Sequence, residues 1–405
     1  MTSDITIQLL ENMFNIQDFS IINSFREEQK VILELDSTRV HICSKCNQPF
    51  KSIYDRKKRR LYAGSLNINP IYVEYYQVRG VCTNCNIISE IPPLSYGKRQ
   101  YIKPVGSIVI QYTKHLDNTS ASKLLGLSKS SVYRIDKEYL EDLAKDYESK
   151  IPEITRAGVD EVAVRKGHKY GTVFINHEDS RVVWIQSGRT KKAYKKMLTF
   201  LKSKLKNLEA VSMDFWKAFE TGTTELFPDC KIIYDRFHLS KILNSHVENE
   251  RRIYQRNLSD DDRKRMKKHS RWVLLKRKKN LTTANWEHLE ELKSQNMHLF
   301  TMYLLKESFL TIFDSSNDRE TARQAIYDWY DIVIQTKYSS LRSFAKRVLK
   351  RLNFILNWFE IPISNGKSEG VNNVIKTLLK RAYGYKDFDY FRLKVLQKCG
   401  YLMND

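Results

Sequence analysis

The residues of this chain best suited to chemistry are four cysteines and a small set of carboxylates. Cys43 and Cys46 form CSKC, and Cys82 and Cys85 form CTNC. A C-x-x-C turn places two sulfurs on one side of a tight loop, so two such knuckles supply four thiolates for one tetrahedral Zn²⁺. Residues 47–81 separate the pairs by more than the usual spacing, yet LYAGSLNINP and IYVEYYQVRGV read as strands that return the chain. The expectation is a zinc ribbon with one structural ion. Cys230 and Cys399 stand alone and read as small buried apolar residues.

Three acids lie at element boundaries. Asp160 falls in the strand ITRAGVDEVAV, Asp214 ends the strand LEAVSMD, and Glu369 starts a helix. Two carboxylates on neighbouring strands repel unless a divalent cation neutralises them, and oxygen-only ligation suits Mg²⁺ or Mn²⁺. A third carboxylate completes a site for two ions that hold the attacking and leaving oxygens of a phosphodiester in line. The plain alternative for each acid is a solvated strand end or a helix cap. Glu161 rivals Asp160, but a strand alternates its faces, so only one of the two reaches the ion. YDRFH adds Asp235, Arg236 and His238 at the end of another strand, groups that bind metal or phosphate or form a salt-bridged strand end.

Lys plus Arg number 69 and Asp plus Glu 47, a net charge of +22. That excess predicts a polyanionic partner, most simply nucleic acid, and some of it reflects a Lys-rich composition. Arg56, Lys57, Lys58, Arg59 and Arg60 are consecutive cations that must be solvated or paired with phosphate. RKRMKKHSR and KRKK are further basic runs, and SEGVNNVIKTLLKRAYGY is a basic helix offering Lys376, Lys380 and Arg381 to DNA. TSASKLLGLSKSSVYRIDKEYL reads as a helix-turn-helix: a helix over 120–125, Gly126 at the turn, Leu127 inward, Ser128 as N-cap, and a second helix over about 129–140. Lys129, Ser130, Ser131, Tyr133 and Arg134 on that second helix suit phosphates and base edges.

These groups need a frame. Hydrophobic residues at 41% and aromatics at 12% support a real core. No run approaches 18 unbroken apolar residues, so no membrane span is expected, and the first residues lack a basic-then-apolar order, so no signal peptide is expected. The expected setting is cytoplasmic. From residue 154 the pattern runs strand, strand, strand, helix, strand, helix, strand. That suits a mixed sheet covered by helices with a site at strand ends. Residues 240–360 read as helical, and Pro362 and Gly366 end that stretch. The predicted organisation is a zinc-ribbon domain over 1–95, a helix-turn-helix domain over 100–150, a sheet core over 154–239, a helical domain over 240–362 and a C-terminal helical part over 363–405. Trp272, Trp286 and Trp329 in the helical domain read as core residues, with stacking on bases as the alternative.

CSKC and CTNC, VDEVAVRKGHKYGTV, VSMDFWKAF, IIYDRFHLSKILN and SNGKSEGVNNVIKTLLKRAYGY together resemble bacterial insertion-sequence transposases of the DDE type. The resemblance covers nearly the whole chain, from Cys43 to about Phe391. It implies a multidomain α/β protein: a ribonuclease H-like, retroviral-integrase-like mixed sheet, interrupted by an all-helical insertion domain and preceded by a zinc ribbon and a helix-turn-helix. Asp160, Asp214 and Glu369 would be the DDE triad holding two Mg²⁺ (or Mn²⁺) ions. Asp235 and His238 match a D-x-x-H motif that supports the site, and Asn372 and Asn373 sit where further contacts to the site or DNA are expected. The implied activity is cleavage at the element ends and joining of the 3′-hydroxyl to target DNA. The implied partners are double-stranded DNA, as terminal inverted repeats and target, in a homodimer or larger assembly near the nucleoid, with no membrane and no nucleotide cofactor. The other readings are a domesticated non-catalytic regulator and a metal-dependent nuclease without strand transfer.

Overall fold

A computed structural model describes residues 11–403, apart from 13, 15, 17, 166, 168, 257, 261–269 and 364–365. The run RKRMKKHSR therefore falls almost wholly outside the described residues. The chain forms two compact units. One holds the described residues up to Tyr147 with Leu378–Lys398 and 402–403; the other holds Glu148–Thr377 with Cys399–Tyr401.

In the first unit, β1 (Phe19–Glu27) pairs antiparallel with β2 (Lys30–Ser37), and β3 (Ser52–Leu66) with β4 (Asn69–Cys82). β5 (Asn86–Ser89) adds to β4, and the sheet order is β1-β2-β4-β3. The β3–β4 hairpin is the reason for the wide gap between the cysteine pairs: it runs out and returns Cys82 to the neighbourhood of Cys43. Its turn is Asn67-Ile68, with φ of 48° and 65°. Two left-handed residues give a turn whose twist matches that of the strands. At the base, the ring of Phe50 lies where a Cβ on Gly80 would fall, 2.1 Å away, so β4 needs a glycine there.

Helices α1 (Val105–His115), α2 (Asn118–Leu125) and α3 (Lys129–Ala144) share one core with that sheet, built from Leu61, Val73, Val109, Ala121, Leu125, Val132 and Ile135 among others. Each fully buried aliphatic side chain contributes about 1.5–3 kcal/mol. α2 begins two residues earlier than the sequence suggests because the Asp117 carboxylate accepts the Thr119 and Ser120 N–H groups at 2.8 and 3.1 Å. Gly126 ends it with φ 61°, and Ser128 Oγ accepts the Ser131 N–H at 3.1 Å to start α3. The helix-turn-helix thus has a cap at each start and a glycine at its turn.

The second unit is built on β6 (Arg156–Arg165), β7 (Lys169–Asn176), β8 (Val182–Ser187), β9 (Ala210–Met213) and β10 (Lys231–Tyr234). Their order is β10-β9-β6-β7-β8; β6, β7 and β8 are antiparallel, while β9 and β10 run parallel to β6. α4 (Lys191–Phe200) and α5 (Lys217–Leu226) are the crossovers into β9 and β10. A helical stretch follows: α6 (Arg236–Arg256), α7 (Ser270–Leu275), α8 (Thr283–Gln295), α9 (Met297–Ser315), α10 (Arg319–Ile334), α11 (Ser339–Lys350) and α12 (Leu352–Leu356). It packs back on the sheet: Asn357 donates to the Ile232 carbonyl at 2.8 Å, and Arg351 pairs with Glu220 at 2.8 Å.

α13 (Gly366–Arg381) carries Glu369 in its first turn, and its residues up to Thr377 belong with the sheet. α14 (Phe388–Cys399) belongs, through Lys398, to the first unit. There Lys394 is buried 3.1 Å from the fully buried Asp136 of α3, Thr113 donates to the same carboxylate at 2.6 Å, and Tyr390 does so too. A buried charge is tolerated only when paired and hydrogen-bonded, so this cluster fixes how α14 seats on α3.

Candidate active site, metal centre and DNA-binding surfaces

β6 and β9 are parallel neighbours with Val159 beside Met213, so the next residues, Asp160 and Asp214, emerge side by side. Burial pushes the Asp160 carboxyl up, and the nearby Asp214 charge adds to that. Asp160 Oδ1 accepts the Glu161 N–H at 2.7 Å, and Oδ2 accepts the Asn372 amide from α13. Asp214 Oδ1 lies 2.8 Å from His238 Nδ1, which also bonds Asp235 Oδ2 at 3.0 Å. Burial opposes a charge on His238, but Asp214 and Asp235 outweigh it and carry the imidazole up to about 10. Three carboxyls, Asp160, Asp214 and Asp235, thus gather around one imidazole.

Two expectations change in detail. The YDRFH segment is not all strand: β10 stops at Tyr234, and Arg236 and His238 lie on the first turn of α6. The cause is Asp235, which accepts the Phe237 N–H at 3.0 Å and so opens a helix. Glu161 does not compete with Asp160. It pairs with Arg189 at 3.3 Å, whose guanidinium lies over Tyr170 and Trp216 at 4.1 and 5.3 Å. Nothing in the sequence singles out Arg189; only the pairing of β6, β7 and β8 brings it there.

Glu369 is exposed, one turn before Asn372 on the same face of α13. Among the described residues it does not join Asp160 and Asp214 in a group gathered closely enough to hold an ion. Asn373 is exposed as well. Among the described residues the buried Asn372 Oδ1 has no hydrogen-bond donor, and the donor set around Asp160 and Asp214 is oxygen-rich, so it fits a hard divalent cation.

The cysteines are gathered. The sulfurs of Cys43, Cys46, Cys82 and Cys85 all lie within 4.8 Å of one another, as a metal centre requires. Asn47 and Asn86, each following the second cysteine of a knuckle, take φ of 57° and 61° and complete the two turns. Burial pushes Cys43 up, but N–H groups of Cys46 and Lys45 bring it down to about 7; burial and the other sulfurs push Cys85 up to about 12.

The basic run of β3 is largely paired within the protein. Register sets Arg60 opposite Glu74; that acid takes Arg60 and Lys58, each at 2.6 Å, and Arg60 also meets Glu27 at 2.7 Å. Arg59 donates to Gln77 and the Arg99 carbonyl. Arg56 and Lys57 are exposed. On α3, Lys129, Ser130 and Arg134 are exposed and Ser131 half-buried, while Tyr133 donates to Asp387 at 2.8 Å and packs edge-on against Tyr390. Lys376 and Lys380 are exposed, and Arg381 donates to the His115 carbonyl. Trp329 is core, 3% exposed, with its indole N–H on the Leu305 carbonyl. Trp286 is half-buried, and the Trp272 side chain lies outside the described residues.

A family model for transposases, DDE_Tnp_ISL3, matches residues 157–395, and the chain belongs to that family. The chain is 33% identical over 240 residues to the transposase of insertion sequence element IS1001 from Bordetella parapertussis, covering 58% of this chain and 59% of that one. It is 23% identical over 256 residues to the transposase of insertion sequence element IS1557 from Mycobacterium tuberculosis, covering 58% and 57%. The chain thus spans under two thirds of the length of these relatives. Among solved structures, the Drosophila P element transposase strand transfer complex matches with a TM-score of 0.37 and 10% identity, over 74% of this chain and 92% of that one. Among the described residues no helix is long and apolar enough to cross a membrane.

Proposed function

We propose that this protein is the DNA transposase of an insertion sequence, with a ribonuclease H-like core formed by β6–β10 and a helical insertion over 240–362. The carrying observation is the pair Asp160 and Asp214 on adjacent parallel strands, in a sheet ordered β10-β9-β6-β7-β8. Asp160, Asp214 and Glu369 would hold two Mg²⁺ or Mn²⁺ ions, which supply a nucleophilic oxygen and stabilise the leaving one. Asn372 holds the Asp160 carboxylate in place through its amide. His238, fixed by Asp235, supplies positive charge beside Asp214. Glu369, exposed on the face of α13 that carries Asn372, completes the triad when the ions and DNA are present.

In the first unit, Cys43, Cys46, Cys82 and Cys85 hold one Zn²⁺, and the helix-turn-helix reads the terminal inverted repeats. Lys129, Arg134, Arg56, Lys57, Lys376 and Lys380 are the exposed cations suited to phosphates, with Ser130 and Ser131 nearest to base edges. Joining two ends to one target calls for a homodimer or larger assembly on double-stranded DNA, in the cytoplasm at the nucleoid.

The test is cleavage and strand transfer on a duplex carrying the element's own ends. Asp160→Ala, Asp214→Ala and Glu369→Ala should each lower cleavage by roughly 10²–10³-fold or more while end binding persists. Normal cleavage by any one variant removes that residue from the triad. Cut ends that are never joined to target indicate a nuclease instead. Specific end binding with no cleavage by the wild-type protein indicates a regulator.

A further inference from the structure

One acid in the helical stretch is surrounded by more positive charge than it needs. Asp314, near the end of α9, pairs with Arg236, with Arg277 at 2.7 Å and with Lys279 at 3.7 Å. Arg236 comes from the first turn of α6 and directly follows Asp235 in sequence; Arg277 and Lys279 come from the KRKK run. Burial pushes the Asp314 carboxyl up, and Arg236 and Arg277 outweigh it, so it stays ionised.

The segment carrying Arg277 and Lys279 is held rigidly, and a fully buried charge does the holding. Lys306 is 0% exposed, and its ammonium donates to the carbonyls of Leu274 and Lys276 at 2.9 and 2.6 Å. Glu307 lies 3.0 Å from that ammonium and accepts the Lys278 N–H at 2.8 Å. Burying a lysine is costly, and here the outcome is that the backbone under three consecutive cations is fixed from both sides. The cations are therefore presented together before any ligand arrives, and prior ordering of this kind is what strengthens a binding site. Arg236 is further steadied over the rings of Phe313 and Trp358 at 5.5 and 5.8 Å.

We propose that Arg236, Arg277 and Lys279 form a binding site for a DNA backbone phosphate, and that Asp314 occupies this site until DNA displaces it. A phosphodiester offers an anionic charge with two free oxygens, the geometry that arginine forks match, as the Asp314 carboxylate does in the free protein. The side chain of Lys279 is 63% exposed, so the cluster opens to solvent at that lysine. Because Arg236 adjoins Asp235, a phosphate held here is tied to the segment that carries His238. The inference rests on the DNA reading of the protein and adds a contact, with an internal competitor, that the triad does not require.

The experiment measures binding of the full chain to a short duplex of arbitrary sequence across a salt series, with thermal unfolding recorded in parallel. Asp314→Asn removes the competing charge, so it should bind several-fold tighter and show a steeper fall with salt. Lys279→Ala, at an exposed position, should bind several-fold weaker and flatten the log–log salt slope by about 1. Should Asp314→Asn fail to fold, Lys279→Ala and Arg277→Ala read the site directly. If the wild-type protein binds in a salt-dependent manner and Lys279→Ala and Arg277→Ala match it, the phosphate site is refuted while the transposase reading stands. If Asp314→Asn only lowers the unfolding midpoint, with affinity and slope unchanged, the cluster is a structural ion-pair network. If the wild-type protein shows no salt-dependent binding to DNA, the transposase reading fails and this inference with it.

Discussion

The two clusters proposed to hold metal ions stand in different states of readiness. The four sulfurs of the cysteine quartet are already within 4.8 Å of one another, whereas Asp160 and Asp214 are neighbours and Glu369 remains exposed on α13. The difference follows from acid–base chemistry. Thiols can gather while protonated: although N–H groups bring Cys43 down to about 7, Cys85 is pushed up to about 12 and Cys46 is raised as well, which limits the charge repulsion of gathering. Carboxylates are ionised at neutral pH, and a third beside Asp160 and Asp214 would add to a cluster that already borrows the His238 imidazolium for relief. On the proposed reading, the sulfur site is formed by the fold alone, and the acid site is completed by its cations.

The sharpest test of that contrast is on the sulfur side. Cys43→Ser should lose most of its bound zinc, and since structural zinc contributes about 10–16 kcal/mol in small zinc modules, β3–β5 should lose hydrogen-exchange protection. The β6–β10 sheet should keep its protection. A full equivalent of tightly held zinc in that variant, by metal analysis, would overturn the assignment. On the acid side, Asn372→Ala should leave the fold intact but raise the Mg²⁺ concentration needed for half-maximal cleavage by about 10–100-fold, as expected when a ligand loses its supporting hydrogen bond. An unchanged metal requirement would show that the Asn372 amide does not position Asp160.

The smallest effect concerns an acid whose cation the protein already supplies. Asp387 accepts from Tyr133 and from Lys137 at 2.7 Å; burial pushes its carboxyl up, but Lys137, the Tyr390 N–H and Tyr133 prevail and bring it down to about 2. A carboxyl depressed in the fold contributes stability above its unfolded value near 3.8, lost as pH falls toward 2. Asp387→Asn should therefore lower the unfolding free energy at neutral pH by on the order of 1 kcal/mol, after allowance for solvent screening. The gap to wild type should close between about pH 4 and 2; a gap independent of pH would assign the loss to packing rather than charge.

Much of this arrangement is legible in the residues. The C-x-x-C pairs, the Gly126 turn, the Ser128 cap and the strand–helix alternation after residue 154 are local signals, and the structure contains each. What escapes local reading depends on register or on contacts between distant segments. The five cations of β3 look alike in sequence, and only the pairing of Arg60 with Glu74 separates the neutralised ones from Arg56 and Lys57. Arg189 over Tyr170 and Trp216, and the buried Lys306, carry no sequence signature at all. The helix beginning at Arg236 escaped because Asp235 serves both as a site acid and as the group that opens α6.

The Asp136–Lys394 pair has a consequence for synthesis. Helix α3 is translated long before its partner α14, so a nascent chain carries Asp136 without the lysine and tyrosine that pair with it. Since domains generally fold in the order in which they leave the ribosome, this unit is an exception by construction: its buried Asp136 cluster is complete only after residues 390–394 emerge.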